Sequence, residues 1–343
     1  MMQIKCGWAD AEYGIFLYLC ITMKRLLALA LLLITFSPAF GQIKQLYGEA
    51  RLGFGATEDG GQFTGRLLAE YVNLVLDGNI GPNLSFYWKQ RFTKPLYNPD
   101  IPLNATDQLW LRWDFSSHWA VQGGKIPVVV GGYEYDDSPI DLYYWSVFAD
   151  RMPDVYALGA NLYSIINPDQ TLIFQFTQSP LGFGYNDLYH AALIWYGKIA
   201  PWWNTIWSVN WMDDPSHSGW VTAALGNRLE FGNFGVEADA MYRAGLARQY
   251  LPADYSAVLK LEYKFPAVTL FAKGSYDLNK DYPEDIVPVN SRFLTGGAGV
   301  EFFPLKNDDI RLHAVYWLNS DAALSNFGHN FNFGVTYRLR VVK

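Results

Sequence analysis

Four carboxylates crowd one polar stretch of the chain: Glu134, Asp136, Asp137 and Asp141. The stretch opens on Gly131-Gly132 and breaks at Pro139, as an irregular loop does. Four bases, Lys89, Arg91, Arg112 and Lys125, come before it in segments that flank the loop. Facing each other across water, acids and bases of this kind form a charged constriction. Such a constriction sorts ions, because its field is only partly screened. The Debye length at physiological salt is about 8 Å, comparable with the radius of a narrow pore. Opposite charges on opposing walls set up a transverse field and a weak net preference.

Groups for covalent or metal chemistry are sparse. The histidines, His118, His190, His217, His313 and His329, are scattered, with no two at the close spacing of a zinc site. Asp213-Asp214 with His217 reads as solvated loop charge. No Gly-x-Ser-x-Gly nucleophile motif occurs. A lipid hydrolase would need a serine and an oriented histidine at the lipid boundary, so the reading is non-enzymatic, without metal or cofactor. Gly296, Gly297 and Gly299 fall within a strand pattern, where glycine marks a bend or close backbone approach rather than a phosphate cradle.

The elements that must position the charges show a period of two. Glu237, Asp239 and Arg243 alternate with Val236, Ala238, Ala240 and Tyr242. Lys260, Glu262 and Lys264 alternate with Leu259, Leu261, Tyr263 and Phe265. Successive side chains of a strand point to opposite faces, so each segment has one wet and one apolar face. Leu84, Phe86 and Trp88, Leu172, Phe174 and Phe176, and Phe331, Phe333, Val335 and Tyr337 supply further apolar faces. Aromatics make up 17% of the chain and charged residues 17%, the second low for a soluble protein. The expected fold is all-β: a transmembrane antiparallel up-and-down barrel of about sixteen strands, lipid outside and water inside. Fourteen or eighteen strands stay open, because the hairpin over 203–230 is weakly patterned. A secreted sandwich would show a boundary about every 100 residues, and none is visible here.

The N-terminus reads as a targeting segment. Met23-Lys24-Arg25 is a positive start, 26–36 an apolar run, and Ala39-Phe40-Gly41 a small-residue cleavage site. Residues 23–41 are the expected signal peptide, 1–22 an upstream extension before a plausible initiator at Met23, and 42–343 a single barrel domain. Cys6 and Cys20 both fall in the discarded part, which leaves the mature chain without a thiol. The net charge of −7 becomes about −8 after cleavage and argues against nucleic acid as a partner. Parity nevertheless places about twelve bases against about nine acids on inward positions. The excess acid therefore belongs to the loops.

Short turn-like connectors alternate with longer polar ones, as in a barrel with both ends at the periplasm. The longest, about 127–153, is the third external loop, and long loops are usually functional. Gly124-Lys125-Ile126-Pro127, which leads into it, followed by Gly132-Tyr133-Glu134-Tyr135-Asp136 and Pro139-Ile140-Asp141, resembles the porin O and P family, the so-called phosphate-selective porins, in the branch typical of Bacteroidota. The resemblance implies a sixteen-stranded barrel in the bacterial outer membrane, its partners being outer-membrane lipid, lipopolysaccharide and two further copies in a homo-trimer. It also implies passage of small hydrophilic solutes, with phosphate conducted over lumenal arginines and lysines in the best-known members. Here the third loop is acidic instead, which points to weak selectivity. The expected constriction has Glu134, Asp136, Asp137 and Asp141 on its acidic side and Lys89, Arg91, Arg112 and Lys125 on its basic side. The rival readings are a plugged structural, assembly or adhesion barrel and, more remotely, the lipid hydrolase.

Overall fold

Alternation of this kind has to close on itself, because an open edge in hydrocarbon would leave backbone N–H and C=O groups unpaired. The computed structural model describes residues 42–96, 98, 101, 103–152, 155–182, 187–215, 219–245, 254–280 and 287–342. The expected leader, His217 and Pro153 lie outside the described residues. Sixteen strands form one closed antiparallel barrel in which each pairs with its sequence neighbours and the last returns to the first. The first half comprises β1 (Gln42–Asp59), β2 (Gln62–Asn79), β3 (Leu84–Arg91), β4 (Thr106–Asp114), β5 (Trp119–Pro127), β6 (Tyr156–Asn167), β7 (Gln170–Gln178) and β8 (Tyr189–Ala200). The second comprises β9 (Trp203–Met212), β10 (Trp220–Phe231), β11 (Phe234–Gly245), β12 (Asp254–Lys264), β13 (Val268–Asn279), β14 (Ser291–Phe302), β15 (Ile310–Ser320) and β16 (Phe327–Val342). The weakly patterned hairpin is β9–β10, paired without a register break, which settles the count at sixteen.

Each strand presents its apolar parity outward. Leu259 and Leu261, Phe174 and Phe176, and Phe331 and Phe333 are exposed large side chains, as a lipid-facing surface requires. Across the seam, Phe54 and Phe333 pair on this outer face with ring centroids 5.3 Å apart. The inward parity carries charge in register: Arg228 opposes Glu237, Glu237 opposes Lys260, and Lys260 opposes Lys273 across β10–β13.

The first hairpin runs further than its pattern suggests. β1 reaches Asp59 and turns over Gly60-Gly61, both at positive φ (57° and 81°). Glycine takes that backbone without steric cost, so two residues suffice for the turn. By contrast, β5 and β6 are joined by 128–155, which holds two single-turn helices, α1 (Tyr133–Asp136) and α2 (Val147–Asp150), with a 3₁₀ turn at Pro139–Asp141 between them. This third loop folds inside the barrel. Val128, Val130, Phe148 and Met152 pack with Met212, Trp220, Ala224 and Met241 from β9–β11 in one buried apolar cluster. Phe148 lies over the buried Arg243 guanidinium, 3.9 Å from carbon to ring centroid. Arg243 in turn donates to Ser256 Oγ at 2.6 Å and to Asn279 Oδ1 at 2.9 Å.

Candidate channel constriction

The four clustered acids of the loop cannot rest against a wall of mixed charge without choosing partners, since an unpaired charge in a partly dry lumen is costly. Each of these four meets a wall group. Glu134 Oε1 accepts from Lys273 Nζ of β13 at 2.7 Å, and its carboxylate also takes the Ser146 N–H (2.8 Å) and hydroxyl (2.6 Å). Asp136 accepts from the Tyr196 hydroxyl of β8 at 2.7 Å. Asp137 pairs with Arg228 of β10 at 2.8 Å. Asp141 pairs with Arg311 of β15 and Arg338 of β16, each at 2.8 Å.

The backbone of the loop is held in the same manner. Arg51 of β1 donates to the Ile140 and Leu142 carbonyls at 3.0 and 2.6 Å, and Arg311 donates to Ile140 O at 3.1 Å. Lys273 Nζ reaches Tyr144 O at 3.0 Å, while the Tyr144 hydroxyl donates to Lys273 O at 2.8 Å. The Tyr143 hydroxyl donates to Glu301 of β14 at 2.7 Å. Starting from β5, the loop therefore reaches the far wall at β13–β16 and β1. It is fixed there by charge-assisted hydrogen bonds, the strong class of such bonds.

Its segment 136–141 borders three lumenal cavities. One of about 280 Å³ is bounded by Asp137, Asp141 and the Arg228–Glu237–Lys260 row. Another, of about 510 Å³, lies beside Ser138, Asp141, Arg338 and Arg340. A third, of about 440 Å³, lies beside Asp136, Trp110, Tyr163 and Tyr196.

The four expected bases distribute differently. Lys89 meets the loop, 3.4 Å from Ser138 Oγ, and also pairs with Glu49 at 3.1 Å. Arg91 is held by Asp107 at 2.7 Å. Arg112 pairs with Asp114 at 2.8 Å and lies over the Tyr163 ring at 4.4 Å. Lys125 is buried, in register with Leu109 of β4, and donates to Leu103 O in the β3–β4 connector at 3.3 Å. The bases that clamp the loop are Arg51, Arg228, Lys273, Arg311 and Arg338. All five fall on the inward parity. The signal that could have found them is loop length: a connector this long spans the lumen and meets the opposite wall, not its own flanking strands.

Two loop carboxyls are shifted in opposite directions. Burial raises Asp136 above the usual carboxylate range, and the Tyr196 hydrogen bond and Arg228 offset this in part. Burial pushes Asp141 upward too, but the Arg311 and Arg338 guanidiniums outweigh it and hold the group below its ordinary value.

Polar groups that could suggest catalysis serve the wall instead. His190 is buried between Thr177 Oγ1 and Asn210 Oδ1, each at 3.0 Å, and Asn210 donates onward to Val130 O of the loop at 3.3 Å. This array faces the packed interior, away from the lipid boundary that a lipid hydrolase would need. Among the described residues, no cluster of His, Cys, Asp and Glu is arranged to hold a metal ion.

Residues 41–191 match the profile of the family described as phosphate-selective porin O and P. No curated protein sequence matches the chain. Among solved structures, an anion-selective porin from Comamonas acidovorans superposes with a TM-score of 0.63 at 9% identity, covering 87% of this chain and 100% of its own. The trimer form of OmpT, an outer-membrane protein of Vibrio cholerae, superposes with a TM-score of 0.61 at 11% identity, covering 87% of this chain and 99% of its own. These likenesses are of fold. The family match over the segment that contains the inward loop is of sequence, and it agrees with the closed barrel and its clamped constriction. Over residues 41–191 the chain matches the phosphate-selective porin O and P family, and its closed sixteen-stranded barrel is that of a bacterial outer-membrane porin.

Proposed function

We propose that the barrel passes small hydrophilic solutes and ions by passive diffusion, with weak charge selectivity, and that it works as a homo-trimer surrounded by outer-membrane lipid and lipopolysaccharide. The observation that carries this reading is the clamp itself. The third loop narrows the lumen, yet Glu134, Asp137 and Asp141 each lie within 2.8 Å of a wall base. Paired charges on opposite sides of a constriction leave a transverse field and little net charge, so neither ion sign gains a large advantage. The family's description and the anion-selective neighbour bring phosphate and other anions into the range of cargo. The trimer form of the Vibrio neighbour supports the assembly proposed here.

Refolded protein in a planar bilayer tests the reading. Stepwise conductance with a reversal potential close to zero in a KCl gradient is expected. A barrel that inserts and never conducts would be a plugged scaffold, and a strong preference for phosphate over chloride would overturn the estimate of selectivity. Cross-linking in outer-membrane vesicles checks the trimer.

A further inference from the structure

The inner wall is chemically divided. β6, β7 and β9 contain no Asp, Glu, Lys or Arg at all. β10–β13, by contrast, carry the charge row. The uncharged side borders the cavity of about 440 Å³, within the usual size range of small-molecule sites. Its polar lining is built of side-chain amides. Gln122 Oε1 accepts from Asn161 Nδ2 at 2.8 Å and from the Tyr163 hydroxyl at 2.6 Å. Gln175 Nε2 donates to Asn161 Oδ1 at 2.9 Å. The chain of amides fixes its own members and the Tyr163 ring before any solute arrives, which lowers the ordering cost of binding. Trp110 completes the surface. Tyr87 stacks on it, 5.4 Å between centroids and 10° between planes, and Trp110, not Tyr87, borders the cavity. The two charged groups at the margin are already engaged, Arg112 by Asp114 and Asp136 by Tyr196.

Building on the channel reading, we propose that this face is a subsite for a neutral carbohydrate, of mono- to disaccharide size. A pyranose presents a flat apolar C–H face and a rim of hydroxyls. The first matches an indole face held from behind. The second matches planar amides, which like hydroxyls both donate and accept. An ion gains little here, because the two charged groups of this wall, Arg112 and Asp136, are already engaged and offer it no free counter-charge in exchange for its hydration. Neutral sugars thus travel along β4–β8, while ions follow the charged wall of β10–β16.

The test is KCl current through single channels titrated with maltose, each trace normalised to its own sugar-free current. Saturable block by maltose is expected. Trp110→Leu raises the half-blocking concentration by about three- to tenfold, as expected for the loss of one aromatic stacking surface. Gln122→Met, which keeps volume and loses the amide, shifts it in the same direction and serves if the tryptophan variant fails to insert. The outward-facing Trp113→Leu leaves the titration where it was. Equal block in wild type, Trp110→Leu and Gln122→Met, or saturable block by inorganic phosphate and none by maltose, would overturn the subsite. Absence of any KCl conductance would instead remove the channel reading on which the subsite rests, so the two failures are distinguishable.

Discussion

Asp141 and Arg338 are 197 positions apart in sequence, yet the carboxylate takes two hydrogen bonds from Arg338 Nη2, at 2.8 and 3.0 Å. The pair joins the tip of the third loop to the closing strand of the barrel. Constriction and closure are thus one structural unit, and disturbing the loop tip disturbs the seam between β1 and β16.

Asp141→Asn tests the electrostatic half of this claim. It leaves Arg311 and Arg338 without their shared carboxylate while keeping a hydrogen-bonding side chain. A unit charge 4 Å away is worth about 1 kcal/mol in bulk water, which is about a fivefold change in local ion occupancy. The chloride-to-potassium permeability ratio should rise by up to that factor. Reversal potentials in a KCl gradient measure it; an unchanged ratio would mean that the pair does not face permeating ions.

Glu134 and Lys273 test the mechanical half. Both side chains are buried, at 3% and 6% exposure, and their contact ties α1 to β13. Removing one partner strands the other as a buried charge, at a cost of about 3–5 kcal/mol. Glu134→Gln and Lys273→Met should each destabilise the refolded barrel by roughly that amount in urea titrations. The double variant should lose clearly less than the sum of the two, the signature of a direct pair. Additive losses would show that the two residues act independently.

Lipid-facing and lumen-facing positions should separate cleanly at one step in sequence. Leu259 sits mid-strand on the outer face of β12, and Lys260 beside it points inward to Glu237 at 3.3 Å. Leu259→Arg should cost about 2–4 kcal/mol of folding stability in bilayers. Lys260→Gln should leave folding nearly intact and change conductance instead. Refolding yield into liposomes, followed by bilayer recording, decides the matter; equal folding of the two variants would contradict the assigned faces.

The period-two pattern made most of this architecture legible. β12 spans Asp254–Lys264, matching the alternation over 259–265, because that alternation is unbroken and Phe265-Pro266 ends it. β1 runs on to Asp59, beyond what its pattern suggests, because pattern alone does not show that Gly60-Gly61 turns the chain in two residues. Parity also told which charges face inward, Arg228, Lys273 and Arg311 among them. It could not tell which loop acid each would meet. Those meetings depend on how far the third loop travels before it finds an apolar seat, and Phe148 over Arg243 provides that seat. Lys125 shows the limit from the other side. Its neighbour Gly124 sits at a φ of 134°, and the strand register, not the nearness of the loop in sequence, decides which face the lysine occupies.

Acid should release the loop tip in a defined window. Detached from its partners, Asp141 would titrate near the ordinary aspartate value, about 3.9. Clamped by Arg311 and Arg338, it titrates lower. A carboxyl whose value is depressed in the attached state contributes stability that is complete above the ordinary value and is lost as pH falls through the depressed one. Asp136 behaves with the opposite sign: burial raises it, so modest acidification protonates the attached form and favours attachment. Between neutrality and about pH 4.5, the loop should stay seated and the current steady. Below about pH 4 the Asp141 anchor should weaken progressively and be lost only as pH falls through the depressed value, where the open-channel current should become noisy or stepped. Asp141→Asn should show that behaviour already at neutral pH and lose the acid transition. Single-channel recordings from pH 7 to pH 3 make the comparison, and a transition centred above pH 5 that survives the substitution would assign the pH response to some other group.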